Sequence, residues 1–134
     1  MAGGGGENAD DTANPPVFPR LIAASPAKFR DYVLVPGHPS GKDVIFLGRL
    51  GFRPRNEEDA RALAETYIAQ ARAKLAMGEY RLGEEDEFGR RYVVEIELRG
   101  TLLQSAWICR PDGTFDLATP FSGFVRRRSE RRSP

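Results

Sequence analysis

The sequence predicts an α+β domain: two short helices and one long helix, followed by a four-stranded antiparallel β-meander. Two observations carry that expectation. Apolar residues recur at helical spacing as far as Gly78 and alternate with polar residues after it. The alternating runs are parted by compact turn signals, Gly100-Thr101 and Pro111-Asp112-Gly113. A chain of 134 residues, 40 % of them hydrophobic, suits one domain with a real core.

The elements follow in order. "VFPRLIAA" (17–24) reads as a short extended lead-in. Ser25-Pro26 is an N-cap followed by proline at the first helical position, so a short helix is expected over 26–34, with Phe29 and Val33 inward, ended by Pro36. "VPGHPSG" (35–41) is a loop fixed by two prolines and opened by two glycines. A second short helix is expected over 42–50, with Val44, Leu47 and Leu50 on one side and Gly51 closing it. The long helix is the clearest element. Asn56 caps it, Glu57, Glu58 and Asp59 sit in its electropositive first turn, and Ala60, Leu63, Ala64, Tyr67, Ile68, Ala71 and Leu75 form one apolar stripe. Strands are expected at 79–88, 90–98, 102–110 and 114–119.

The hairpin between the second and third strands predicts the faces of the sheet. A two-residue loop at Gly100-Thr101, glycine first, suits a type II′ turn. It pairs Arg99 with Leu102, Leu98 with Leu103, Ile96 with Ser105, Val94 with Trp107 and Tyr92 with Cys109. The face made by the last four pairs is largely apolar and should meet the helices, with Trp107 buried beside Val94 and Cys109 a buried small hydrophobe. The opposite face carries Arg91, Glu95, Glu97, Arg99, Gln104 and Arg110.

Composition excludes several classes. No apolar run approaches the roughly 20 residues of a membrane span, and the first residues lack the basic and apolar regions of a signal peptide. The single cysteine permits no intramolecular disulfide, so a cytoplasmic location is the expectation. One histidine and one cysteine do not make a zinc site of the usual kind, and no nucleotide-binding glycine motif is present, so no metal and no cofactor are expected. Net charge is +1 but uneven. Residues 1–16, with four glycines and Pro15-Pro16, read as a disordered leader; residues 126–134, with five arginines against Glu130, read as a disordered basic tail; residues 17–125 form the expected domain.

The stretch "FRDYVLVPGHPSG" followed by "FLGRLGF" resembles the opening of an uncharacterised bacterial family, domain-of-unknown-function family 6883. The resemblance runs through Lys28, Tyr32 and Leu34, His38-Pro39-Ser40-Gly41, Leu50-Gly51-Phe52, Phe88-Gly89-Arg90-Arg91-Tyr92, Trp107 and Leu117-Ala118-Thr119-Pro120, about 25–121 in all. The order of helices before a four-stranded antiparallel sheet is similar, more distantly, to the barnase, EndoU, colicin and RelE class of small ribonucleases, many of which act as toxins. That likeness implies a metal-independent ribonuclease-like protein with RNA as substrate and a small antitoxin or immunity protein as partner.

Metal-independent RNA cleavage needs a base for the ribose 2′-OH, an acid for the leaving 5′-oxygen and a cation for the phosphorane charge. His38 can supply acid or base, or can simply bond a nearby backbone group. Lys42, Arg91 and Arg110 can supply positive charge, Glu95 or Glu97 a second acid–base group, and Thr119 a hydrogen bond to a phosphate oxygen. The bland alternative for the sheet charges is a solvated face with cross-strand ion pairs. Ser40 is expected to cap the helix after it, adding a positive helix end beside His38 and Lys42. The contrasting class is a non-enzymatic interaction module, immunity-like or regulatory, that binds a partner through its sheet.

One expectation concerns the tail alone. Deleting 126–134 should leave the thermal midpoint unchanged and flatten the salt dependence of any RNA binding, because its five arginines release counterions. An unchanged salt slope after deletion removes the tail from RNA binding.

Overall fold

A computed structural model of the chain describes Pro19 and residues 21–125; the leader and the basic tail lie outside the described residues. Strand β1 (Leu21–Ala23) leads into two short helices, Phe29–Val33 and Val44–Arg49. Helix α1 (Glu57–Ala76) follows, and then strands β2 (Arg81–Asp86), β3 (Gly89–Leu98), β4 (Thr101–Cys109) and β5 (Thr114–Phe124). The strands form one sheet in the order β1-β5-β4-β3-β2. Among the described residues no helix is long and apolar enough to cross a membrane.

The expected four-stranded antiparallel meander is therefore corrected: the sheet has five strands and is mixed. β1 pairs in parallel with β5, Leu21 to Thr114, Ile22 to Phe115 and Ala23 to Asp116. Three residues with only Ile22 fully buried carry no alternation to detect, and their partner lies at the far end of the chain. The last strand is also longer than expected, running through Pro120 and Gly123 to Phe124.

α1 forms as its sequence dictates. The Asn56 side chain accepts from the Asp59 amide at 2.9 Å, and three acidic residues occupy the first turn. Ala60, Leu63, Ala64, Tyr67 and Ala71 are buried against the sheet. The two short helices are wound wider, with i→i+5 bonds from the Leu34 amide to Phe29 and from the Leu50 amide to Ile45. In the first, Phe29 and Val33 point inward as expected. In the second the wider winding changes the inward side: Phe46 is buried and Val44 is 66 % exposed, although Leu50 stays inside.

The β3–β4 hairpin also differs from its expected register. The turn is Arg99-Gly100, with φ of 48° and 84°, a type I′ geometry rather than type II′ at Gly100-Thr101. Leu98 faces Thr101, Ile96 faces Leu103, Val94 faces Ser105 and Tyr92 faces Trp107. The slip is two residues, so both faces keep their composition. Arginine is an unusual residue for the first position of such a turn. Its side chain offsets that cost by stacking on Phe52, 3.8 Å from the ring centre, and donating to the Leu50 carbonyl. Arg99 thus leaves the polar face assigned to it.

The inner face of the sheet, α1 and the short helices share one core. Trp107 is fully buried, stacks on Phe115 at 5.1 Å, and donates through Nε1 to Ser105 Oγ at 2.8 Å. Ser105 in turn donates to the Val94 carbonyl at 2.7 Å, so both buried polar groups are satisfied. Beyond Val93, β3 has no partner in β2. There the Gln70 amide takes the place of a strand, accepting from the Glu97 N–H and donating to its carbonyl, both at 2.8 Å. Lys74 donates to the Glu95 carbonyl at 3.2 Å.

Tyr67 provides a test of core burial. Its hydroxyl donates to the Pro120 carbonyl at 2.9 Å, and burial pushes its ionisation far above the ordinary tyrosine value. Below the unfolded-state value of about 10 this group leaves stability intact; as pH rises above it, only the unfolded chain gains by releasing the proton, and stability falls. Tyr67→Phe should cost about 1–2 kcal/mol at pH 8 by stranding the Pro120 carbonyl. Its thermal midpoint should then approach that of the wild type above about pH 10. Tyr92 and Cys109 are shifted the same way by burial, so some alkaline loss persists in the variant. A constant gap between the two proteins from pH 8 to 11 would contradict the assignment.

Candidate functional site

The loop between the short helices is built from its own turns. Gly37 and Gly41 take left-handed backbone, φ 75° and 76°, which the path requires. The His38 amide donates to the Val35 carbonyl at 3.2 Å and the Gly41 amide to the His38 carbonyl at 2.9 Å. The Gly37 amide is held by Asp43 Oδ2 at 2.9 Å. Ser40 Oγ accepts from the Lys42 amide at 3.2 Å, a serine turn just ahead of the second short helix. That helix is six residues long and has no side-chain cap, so the expected helix-end contribution falls away.

The loop delivers Lys42 to a polar junction between three segments. Lys42 Nζ donates to Tyr32 Oη at 2.8 Å and to Thr119 Oγ1 at 3.2 Å, and stands 5.0 Å from the Tyr32 ring centre. The His38 ring meets Tyr32 edge to face, 4.9 Å between centres. Lys42, acting mainly through that hydrogen bond and also through its charge, holds the Tyr32 phenol below its ordinary ionisation range, against an opposing push from burial. His38 Nδ1 lies 3.0 Å from both the Ser40 amide and Ser40 Oγ. The neutral ring accepts from the amide, the charged ring donates to the hydroxyl, and Nε2 can carry a proton in either state.

Thr119 reaches this junction because β5 is irregular there. Leu117 pairs with Trp107, and Thr119 with Ala106, so Ala118 is an extra residue. Ala118 and Thr119 both line one open cavity of about 570 Å³, with Ser25, Ala27, Lys28, Asp31 and Tyr32. The cavity exists because β1 leaves the sheet after Ala23 and turns into the first short helix, uncovering the edge of β5. Tyr67, bonded to the next residue, Pro120, anchors this part of β5 from within the core.

Of the residues singled out in the sequence, His38, Lys42 and Thr119 come together around Tyr32. Glu95, Arg91 and Arg110 do not join them. Glu95 and Arg91 lie on β3, two strands from β5, about 10 Å by strand spacing. Arg91 pairs with Asp86 at 3.2 Å and Arg110 with Asp116 at 3.0 Å, the cross-strand pairs of a solvated face. Tyr32 carries the site's shifted ionisation, and sequence reasoning gave it no chemical role. Its only signal there was its place in the stretch leading to the loop.

A family model described as a domain of unknown function, DUF6883, matches residues 19–123. No curated protein and no solved structure matches the chain. The more distant likeness to the small ribonuclease fold class is not supported, since it rested on a four-stranded antiparallel sheet that this chain does not form.

The Lys42–Tyr32 contact can be read by ultraviolet titration of the four tyrosines. The earliest-ionising phenol should vanish in Tyr32→Phe and move upward in pH in Lys42→Met, which keeps the stem and removes the charge. An early transition untouched by either change would assign the low ionisation elsewhere.

Proposed function

We propose that this chain, which belongs to the family DUF6883, is a metal-independent, ribonuclease-like phosphodiesterase whose reacting groups are His38, Lys42, Tyr32 and Thr119. The observation that carries this reading is the Lys42 ammonium, shared between a phenol and a hydroxyl whose residues, Tyr32 and Thr119, both line an open cavity. A tetrahedral phosphate fits that donor set: Lys42 balances charge and Thr119 Oγ1 donates to an equatorial oxygen. Tyr32, with its ionisation lowered, accepts the 2′-OH proton as a phenolate. The 2′-oxygen then bonds to phosphorus, and the 5′-oxygen leaves with a proton from Nε2 of the His38 imidazolium, whose Nδ1 exchanges the bond it accepts from the Ser40 amide for donation to Ser40 Oγ. Glu95, Arg91 and Arg110 stand outside these steps.

The experiment is cleavage of a mixed-sequence single-stranded RNA in the presence of a metal chelator. His38→Ala and Lys42→Ala should each lower the rate by about 100-fold or more while the thermal midpoint moves by only a few degrees. Arg91→Ala and Arg110→Ala should cleave as the wild type does. A wild type that leaves RNA intact rejects the enzyme reading. The second reading, an interaction module, is favoured by one observation: all of edge strand β2 is exposed, and Leu82 on it and Phe88 in the turn after it are more than half exposed.

A further inference from the structure

We propose that the cavity beside Lys42 is a nucleobase subsite, so that the ligand is a nucleoside phosphate and not a phosphate group alone; this rests on the phosphate reading of Lys42. The walls are apolar and cut back. Ala27 and Ala118 carry no side chain beyond a methyl group, and Tyr32 adds an aromatic ring to the same lining. The volume, about 570 Å³, lies in the range of small-molecule sites. It far exceeds what a phosphate needs, so space is left for whatever the phosphate is attached to.

The rim decides the chemistry of that attachment. Lys28 and Asp31 share it, one cation and one anion. Asp31 is fixed by Arg30, whose Nε and Nη2 contact its two oxygens at 2.9 and 2.8 Å, and this pairing holds its carboxyl below the usual range. Asp31 keeps lone pairs that accept N–H groups while Arg30 balances its charge, and Lys28 on the same rim donates. A rim that offers both an acceptor and a donor above a small-residue and aromatic lining suits a flat occupant with apolar faces and hydrogen-bonding edges of both kinds, which describes a nucleobase and fits stacking on Tyr32. The extra residue in β5 serves this arrangement: it brings Ala118 and Thr119, consecutive in the chain, to the same cavity lining.

The test compares three probes by titration calorimetry with the full chain: inorganic phosphate, abasic ribose phosphate, and the four nucleoside 3′-monophosphates. At least one nucleotide should bind about tenfold or more tighter than abasic ribose phosphate. Ala118→Leu, which fills the cavity, should erase that advantage while leaving the affinity for ribose phosphate within about twofold. Ala27→Leu adds bulk at a second lining residue and should do the same, which keeps the test intact if one variant misfolds. Equal binding of nucleotides and ribose phosphate, with Lys42→Met weakening both, overturns the base subsite and leaves the phosphate site standing. Nucleotide binding that is unchanged when the cavity is filled overturns the base subsite equally. If no probe binds and Lys42→Met makes no difference, the phosphate reading has failed and the subsite with it.

Discussion

The hydrogen bond from Tyr67 to the Pro120 carbonyl is the constraint on which the rest of this fold turns. Tyr67 is completely buried in the middle of α1, and its ring meets Phe29 edge to face at 4.9 Å. One side chain therefore ties the long helix to the first short helix and to β5. A carbonyl at that depth has no water to turn to, so its partner fixes where β5 runs. Pro120 lacks an amide hydrogen and gives nothing back to a neighbouring strand. The position suits an outer, irregular stretch of sheet, and the residue before it is Thr119. The placement of the polar junction is in this sense a by-product of how the helix is pinned to the sheet.

Much of the helical half was legible because its signals are local. Asn56 and the three acids after it specify a helix start, and the apolar stripe specifies which side is buried; both depend on residues within a few turns of one another. The faces of the β3–β4 pair were legible for a similar reason, since side chains alternate strictly and a slip by two preserves that alternation. What was hidden depends on distant partners. Arg99 adopts a left-handed backbone because Phe52 and Leu50, nearly fifty residues earlier, receive its guanidinium. β1 is a strand only because β5 lies beside it.

The candidate site divides in the same way. His38 and Lys42 stood out because one loop with two prolines and two glycines carries both. Thr119 entered through a resemblance, and only the irregularity of β5 at Ala118 shows how it reaches Lys42. Glu95, Arg91 and Arg110 looked like companions because strand alternation collects charges on one face. Alternation says nothing of how far apart the strands lie: two ladders separate Glu95 and Arg91 from β5, and Arg110, beside β5, is taken up by Asp116. Tyr32 was invisible as chemistry for a further reason. A lone tyrosine in a helix reads as core, and its ionisation is set by a lysine ten residues on.

The Gln70 amide that matches the Glu97 backbone has a consequence for the evolution of the sheet's outer rim. A primary amide presents one donor and one acceptor at nearly the spacing of a peptide unit, so α1 serves as a one-residue strand along β3. The inner part of that rim is sealed by a helix that must be there for the core in any case. The β2 hairpin is thereby freed from a covering duty: its length and charge can drift, by insertion, deletion or substitution, without opening the interior to a stray chain. This hairpin lies on the opposite edge of the sheet from the lysine junction, so such changes would leave that junction untouched.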